Sequence, residues 1–345
     1  AQVAPLIESV PPKTYGGTER IVSYLTEELV RQGHQVTLFA SADSQTSAQL
    51  VPIVPRALRL DPNVKDYVPY TVLQLEKLRQ HADAFDVIHF HTDFMHLPLA
   101  RALMPQRTVT TMHGRLDLPD YKPLFAEFSD SPLVSISNQQ RQPLAGANWV
   151  GTVYHGLPPS VCRFTAQPRG EYLAFLGRIS PEKRPDRAIE IAARAGMRLK
   201  IAAKVDAADV TYFRTQIEPL LSQPHVEYIG EINEEQKQEF LGNALALLFP
   251  IDWPEPFGLV MIEAMSCGTP CIAWRAGSVP EIIDHGVTGF IVDSIDDAVH
   301  AVRRAAMLNR AAVRARFEQR FSAERMARDY VQIYRRLIEE RRKAA

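Results

Sequence analysis

Short apolar runs alternate with helical ones along the whole chain, and that alternation leaves few folds open. In the first half QVAPLI reads as a short strand, TERIVSYLTEELVRQ as a helix and QVTLFA as the next strand. Ile21, Val22, Leu25 and Leu29 line one side of that helix, and Gly33 stops it. DVIHFH (Asp86 to His91), RTVTTMH (Arg107 to His113) and PLVSIS (Pro132 to Ser137) continue the series, and TVYHGL closes it near residue 157. Such segments build parallel βαβ units with right-handed crossovers.

The pattern then breaks and restarts. PPSVCRFTAQPRG, Pro158 to Gly170, holds three prolines and a glycine and reads as a linker. After it come YLAFLG, helix DRAIEIAARAG, RLKIAAK, a polar helix, VEYIG, helix EEQKQEFLGNA, ALALLFP, a helix carrying Glu263, TPCIAW and GFIVDS. A chain of 345 residues is long for one core. The expected architecture is α/β, with two Rossmann-like domains (residues 1–160 and 170–324) facing each other across a deep cleft. Ligands are expected at the carboxyl ends of the strands.

Composition removes several classes of function. At 46% hydrophobic and 23% charged the chain is not disordered, and a net charge of −1 gives no electrostatic case for nucleic acid. Cys162, Cys267 and Cys271 cannot close a disulfide framework, which points to a reducing cytoplasm. No run approaches the roughly 18 apolar residues of a membrane-spanning helix. No signal peptide opens the chain, and AQVAPL reads as starting partway through a strand, so a residue or two is expected upstream. Arginines accumulate from Arg303 onward. They suit either docking to an anionic membrane surface or, the preferred reading, a pair of solvated helices with cationic ends.

The densest chemical signal is PIDWPEPFGLVMIEAMSCG, Pro250 to Gly268. An apolar strand runs into it, Pro254 and Pro256 interrupt, Gly258 frees the backbone, and LVMIEAM resumes with helical spacing. Glu255 then lies in a loop at the strand's end. Glu263 lies on the first turns of a helix whose unpaired N–H groups suit oxyanions or sugar hydroxyls. The helix is apolar around Glu263, so a buried carboxylate there needs a partner, and the hydroxyl pair of a ribose would serve. FLGRISPEKR sets Arg178 and Lys183 just past another strand, where a forked guanidinium and a compact ammonium suit a diphosphate.

In the first half, Tyr15-Gly16-Gly17-Thr18 joins strand to helix, and its glycines permit close approach of backbone to a phosphate. His113-Gly114 ends another strand; a histidine there can donate to a sugar hydroxyl or to developing charge, or simply satisfy a turn. His89 and His91 share a strand face with Asp93 following, but zinc is not expected because no third ligand lies near in sequence. Cys267 and Cys271 read as small buried residues around a turn. No D-x-D pair is present to hold a divalent ion, and no G-x-S-x-G or P-loop sequence anchors a hydrolase or kinase. No metal and no other cofactor is expected.

GGTER, TMHG, GRISPEKRPDRAIE and PEPFGLVMIEAMSCGTPCIAWRAGSVPEIIDHGVTGFIV together resemble the family 4 retaining glycosyltransferases of the GT-B fold, most specifically from about Phe175 to Val292. The resemblance implies metal-independent sugar transfer from a nucleotide diphosphate with the anomeric configuration retained. It implies that Arg178 and Lys183 hold the diphosphate, Glu263 the ribose, and that Glu255 sits beside the donor sugar. Backbone amides at Phe257, Gly258 and Leu259 would contact that sugar, Gly16 and Gly17 would approach the distal phosphate, and His113 would face the reacting carbon. It also implies a C-terminal helix, residues 325–345, crossing back to the first domain. Pro256 departs from the family's loop, where a small residue is usual, and should stiffen it.

A UDP-sugar is the expected donor, with the base near Tyr228 to Glu231 and Ala203 to Lys204. The acceptor is an unidentified hydroxyl compound (small molecule, glycan or lipid-linked) held near Tyr15, His91, Asp93 and Arg115. Two rival readings are a nucleotide-sugar epimerase of the same fold and a catalytically silent nucleotide-sugar-binding protein.

Overall fold

The computed structural model describes residues 1–13, 16–104 and 106–344, Ala344 by its backbone alone, so Tyr15 lies outside the described residues. The chain divides into two compact units, Ala1–Gly156 together with Ala323–Ala345, and Leu157–Ser322.

The first unit runs β1 (Gln2–Val3), α1 (Gly17–Arg31), β2 (Thr37–Ala40), β3 (Gln49–Pro52), α2 (Val68–Arg79), β4 (Ile88–Phe90), α3 (Leu97–Leu103), β5 (Thr108–Thr111), α4 (Tyr121–Glu127), β6 (Leu133–Ser135) and β7 (Trp149–Thr152). The strands pair parallel in the order β3-β2-β1-β4-β5-β6-β7. The anticipated α1 stripe is buried, with Ile21, Val22 and Leu25 fully enclosed. QVAPLI pairs only through Gln2 and Val3, and the last strand lies ahead of TVYHGL. β3 carries no clear alternation because it is a half-exposed edge ending in Pro52.

The second unit runs β8 (Tyr172–Arg178), α5 (Pro185–Ala195), β9 (Arg198–Lys204), α6 (Val210–Tyr212), β10 (Val226–Gly230), α7 (Glu234–Gly242), β11 (Ala246–Phe249), α8 (Leu259–Ser266), β12 (Cys271–Trp274), α9 (Val279–Ile282), β13 (Gly289–Val292), α10 (Ile295–Ala305) and α11 (Arg310–Phe321). Its six strands are parallel in the order β10-β9-β8-β11-β12-β13. Leu173, Phe175, Leu199, Ile201, Leu248 and Ile272 from the sheet meet Ile189, Ala192, Val299 and Val302 from α5 and α10. The polar helix expected after β9 is a succession of short turns, α6 followed by helical segments Phe213–Ile217 and Glu218–Ser222, the last with Pro219 near its start.

Pro158 to Gly170 is not a loose tether. Its backbone is tied into the second unit by Thr165 N–H to the Cys267 carbonyl and Gly170 N–H to the Asn243 carbonyl, both at 3.0 Å. The arginine-rich tail likewise differs from the expected solvated helices. Arg310 donates to the carbonyls of Thr165, Gly242 and Ala244 at 2.9, 2.8 and 3.2 Å, and Arg314 to those of Cys162 and Ser266. These acceptors include backbone groups at the ends of α7 and α8 that a helix leaves unpaired.

Past Ser322, α12 (Ala323–Ala344) returns to the first unit. Met326, Ala327, Tyr330, Ile333 and Leu337 recur at three- and four-residue steps and are buried, against α1 among other elements. The Tyr330 and Tyr334 hydroxyls reach the sheet, bonding Thr111 at 2.9 Å and His89 at 2.7 Å.

This unit encloses histidine to an unusual degree. Burial pushes His89, His91 and His155 well below the ordinary imidazole range, and His96 and His113 down to about 3. Folding therefore favours the neutral rings. Their stabilising contribution is complete above the unfolded-state value near 6.5 and is lost as pH falls, by up to about 1.4 kcal/mol per ring per pH unit. The first unit should unfold on acidification between roughly pH 6.5 and 5. Emission from Trp149, with the second unit's Trp253 and Trp274 replaced by Phe, is the readout. Unchanged stability down to pH 5 would mean that the rings protonate in place.

Candidate functional site

In each sheet the winding reverses once. β1 and β4 are neighbours in the first unit and β8 and β11 in the second, so the loops after these strands leave toward opposite sides. A space opens between such loops at the carboxyl edge, and in the second unit Lys183, Glu255, Phe257 and Gly258 lie on those loops.

Arg178 is the last residue of β8 and Lys183 lies in the loop that follows; after β11 the chain carries Trp253 and Glu255. The two loops are joined by the Asp252 N–H to the Glu182 carbonyl at 2.8 Å. The Lys183 ammonium donates to Glu255 Oε2, which also accepts from the Trp253 indole N–H at 2.9 Å. That ammonium lies 5.0 Å from the Trp253 ring centroid and 5.6 Å from that of Phe249, a cation–π setting. Lys183 and Glu255 side chains are only 16% and 11% exposed, so the pair is screened from water far more than a surface ion pair.

The Glu255 loop is held from behind. A Cβ at Gly277 would lie 2.3 Å from the Glu255 nitrogen, so only glycine lets the two backbones approach. Ser278 then bonds twice, its N–H to the Glu255 carbonyl at 3.0 Å and its hydroxyl to the Phe257 carbonyl at 2.7 Å. Gly258, at φ 80°, caps α8 without a side-chain partner for the first-turn N–H groups that include Leu259. Phe257 is buried and packs edge-on against Phe321.

Arg178 and Glu263 have other company. Arg178 faces Asp206, Glu182 and Asp209 at 3.5, 3.8 and 3.9 Å. Glu263 lies on the second turn of α8, and its buried carboxylate is met by Lys237 of α7 at 2.7 Å, which also bonds Glu234 at 2.7 Å. Contrary to expectation, this carboxylate needs no ligand to be stable, since the chain itself supplies a cation. Lys237 went unnoticed because it stands in a run of polar residues that reads as a solvated face. Near the anticipated base contacts, the Tyr228 hydroxyl already donates to the Ala203 carbonyl at 2.9 Å.

In the first unit Gly16 caps α1, and a Cβ there would meet Pro12 Cβ at 2.8 Å. Sequence reasoning stopped at Gly16 and Gly17 and overlooked Glu19, whose carboxylate folds back toward the same helix end. Burial raises its pKa, and Glu8, itself buried and paired with Arg59 at 2.9 Å, adds to that. An anion near Gly17 would therefore approach two carboxylates.

His113 follows β5 and is partly exposed, though its Nδ1 is buried with no hydrogen-bond partner. Its Nε2 lies 2.8 Å from His91 Nδ1, and its ring stacks on His155 with centroids 5.3 Å apart. Leaving such a nitrogen unpaired costs about 1–3 kcal/mol. His91 was expected among acceptor contacts, but it is enclosed and its other nitrogen faces Gln2 Oε1 at 2.9 Å. A third histidine, His113, does come within reach of His91, invisible in sequence because β5 brings it across. Among the described residues no three His, Cys, Asp or Glu side chains are arranged to hold a metal. Asp93 is exposed with φ 51°, and Arg115 pairs with Asp117 at 2.8 Å. The three cysteines are buried and free, and no described helix is long and apolar enough to cross a membrane.

This geometry has relatives. Residues 15–147 match the family described as Glycosyltransferase Family 4, and residues 164–321 that described as Glycosyl transferases group 1. The N-acetyl-alpha-D-glucosaminyl L-malate synthase of Bacillus anthracis is 26% identical over 92% of this chain and 93% of its own length. The sucrose-phosphate synthase of Thermosynechococcus elongatus superposes with a TM-score of 0.80 at 19% identity, covering 98% of each chain. Anabaena HepE, solved in complex with UDP and glucose, superposes at 0.72 with 17% identity over 96% of this chain and 98% of that one. Two parallel-sheet units, loops joined where the strand order turns, and family matches to both halves identify the chain as a family 4 glycosyltransferase of the GT-B fold.

Proposed function

We propose that this enzyme moves a hexose from a UDP-sugar to a hydroxyl acceptor with retained configuration and without a metal ion. The observation that carries the reading is the Lys183–Glu255 contact at the carboxyl edge of β8 and β11. A lysine, a carboxylate and an indole meet where α/β sheets bind their ligands. The UDP and glucose in the HepE complex support the choice of donor.

On this reading Arg178 and Lys183 take the diphosphate and Glu263 the ribose. Phe257, Gly258 and Leu259 amides and Glu255 hold the donor sugar, Gly16 and Gly17 approach the distal phosphate, and His113 meets a sugar hydroxyl. When phosphate takes the Lys183 ammonium, Glu255 Oε2 is released to accept from the sugar, so one exchange readies both groups. The acceptor oxygen then bonds the anomeric carbon on the face from which the diphosphate departs. The carbon–oxygen bond to the diphosphate breaks with its electron pair, and the acceptor's proton passes to a phosphate oxygen. The two cations stabilise the departing charge, the task a divalent ion performs elsewhere.

Lys183→Ala and Arg178→Ala should each weaken UDP binding in calorimetry about tenfold or more, the worth of one charge-assisted bond. Glu255→Gln and Glu255→Ala should slow transfer by roughly 100-fold with UDP affinity retained. Full turnover in both Glu255 variants, an inverted product, or loss of activity in EDTA would defeat the reading. Epimerised sugar from donor incubated alone would favour the rival enzyme.

Lys237 has a separable role. Lys237→Met strands Glu263 in an apolar setting and should destabilise the second unit by about 3–5 kcal/mol, whereas removing both with Glu263→Leu should be milder. Denaturant titration of both single variants and the double variant measures the difference; a double-variant loss equal to the sum of the two single losses would mean that the pair contributes no coupling.

A further inference from the structure

The orphaned nitrogen of His113 stands at the end of a bonded chain that begins on the last helix. Tyr334, from α12, has its hydroxyl 2.7 Å from His89 Nδ1 and 3.2 Å from Gln2 Nε2. Gln2 is the first residue of β1, and its amide nitrogen donates to that hydroxyl, so its Oε1 is left for His91 Nε2 at 2.9 Å. An amide oxygen only accepts, which requires the proton of neutral His91 to sit on Nε2. His91 Nδ1 is then a lone pair, and the 2.8 Å contact to His113 Nε2 can form only if His113 carries its proton there. The remaining nitrogen, His113 Nδ1, is therefore a lone pair as well. It is the buried atom with no partner.

We propose that Gln2 and His91 are positioning residues that hold His113 as a neutral hydrogen-bond acceptor, its Nδ1 reserved for a hydroxyl of the sugar substrate. This rests on the reading of His113 as a residue that meets the sugar, and it reverses the direction of the bond expected from sequence. A ring that accepts at Nδ1 selects a ligand with a hydroxyl at that point, and a deoxy sugar leaves the nitrogen unpaired. Neither Gln2 nor His91 touches substrate; both act through His113, as the outer partner of a functional histidine sets its tautomer. The second pair of bonds steadies the arrangement. The Tyr334 hydroxyl meets His89 Nδ1, His89 Nε2 lies 2.7 Å from the Thr111 hydroxyl, and Thr111 meets Tyr330 of the same helix at 2.9 Å.

The decisive measurement is the tautomer. In the full chain labelled with 15N-histidine, two-bond nitrogen–proton spectra resolve ring protonation, and the His113 signals among ten histidines are those missing in His113→Asn. The proposal requires Nε2-protonated His113 at neutral pH; an Nδ1-protonated or doubly protonated ring overturns it. Kinetics supply the second arm. Gln2→Leu removes the acceptor and should lower kcat/KM for transfer roughly tenfold, the low end for an outer partner of a functional histidine, with UDP affinity unchanged. Gln2→Glu offers acceptor oxygens alone and should recover most of the loss. A glutamate variant as slow as the leucine one, or a leucine variant as fast as the parent, overturns the relay. An Nε2-protonated ring in a protein whose His113→Ala variant transfers sugar at the parent rate would instead sink the placement of His113 at the sugar and leave the relay standing.

Discussion

Reversal of strand order in a parallel sheet is the constraint on which the rest of the structure depends. Right-handed crossovers allow a chain to add strands outward from a central one on one side and then, after doubling back, on the other. The two central loops cannot follow each other and must part, and the sheet's carboxyl edge lies open between them. In the second unit those loops are 179–184 and 250–258, and both meet in the Glu255 carboxylate. Residues 72 apart in sequence become hydrogen-bond partners because β8 and β11 are neighbours. Gly277 and Ser278 then fix the backbone that carries Glu255, so the position of the acid is set by packing before any ligand arrives.

The cations singled out in the second unit are internally matched. Lys183 has Glu255, Arg178 has three acids within 4 Å, and Lys237 has two. Cations assembled for a diphosphate repel one another and lose hydration when half-buried, and carboxylates beside them offset both costs. On the proposed reading the acids are thus part of the diphosphate site before the donor binds. On that reading a donor displaces them, which lowers affinity but releases carboxylates for the sugar hydroxyls.

How much of this is legible in sequence follows from where each partner lies. Strands β8, β9, β10 and β12 and the α5 and α7 helices are readable because periodicity and turn residues are local signals. Glu255, Gly258 and the GRxxxxK loop stand out because prolines and glycines mark loops at strand ends. Lys237 and the His113 side of the histidine group are not readable: each depends on an element packing beside another, and sequence spacing carries no trace of it. The arginines of α11 mislead for a related reason. Charge is usually solvated, but Arg310 and Arg314 are drawn inward by carbonyls exposed at helix ends.

The last helix shows what that inward reach accomplishes. α12 brings two tyrosines onto the edge of β1, β4 and β5 that bears the histidines, and through Gln2 it joins the bonds that end at His113. A helix held only by apolar contacts specifies its register less sharply than one whose two hydroxyls bond a ring nitrogen and a threonine hydroxyl. The apolar stripe of Met326, Ile333 and Leu337 supplies affinity, and Tyr330 and Tyr334 supply alignment. Because the same bonds decide which nitrogen of His91 carries a proton, the alignment of the chain's final segment and the hydrogen-bonding character of His113 are one structural decision.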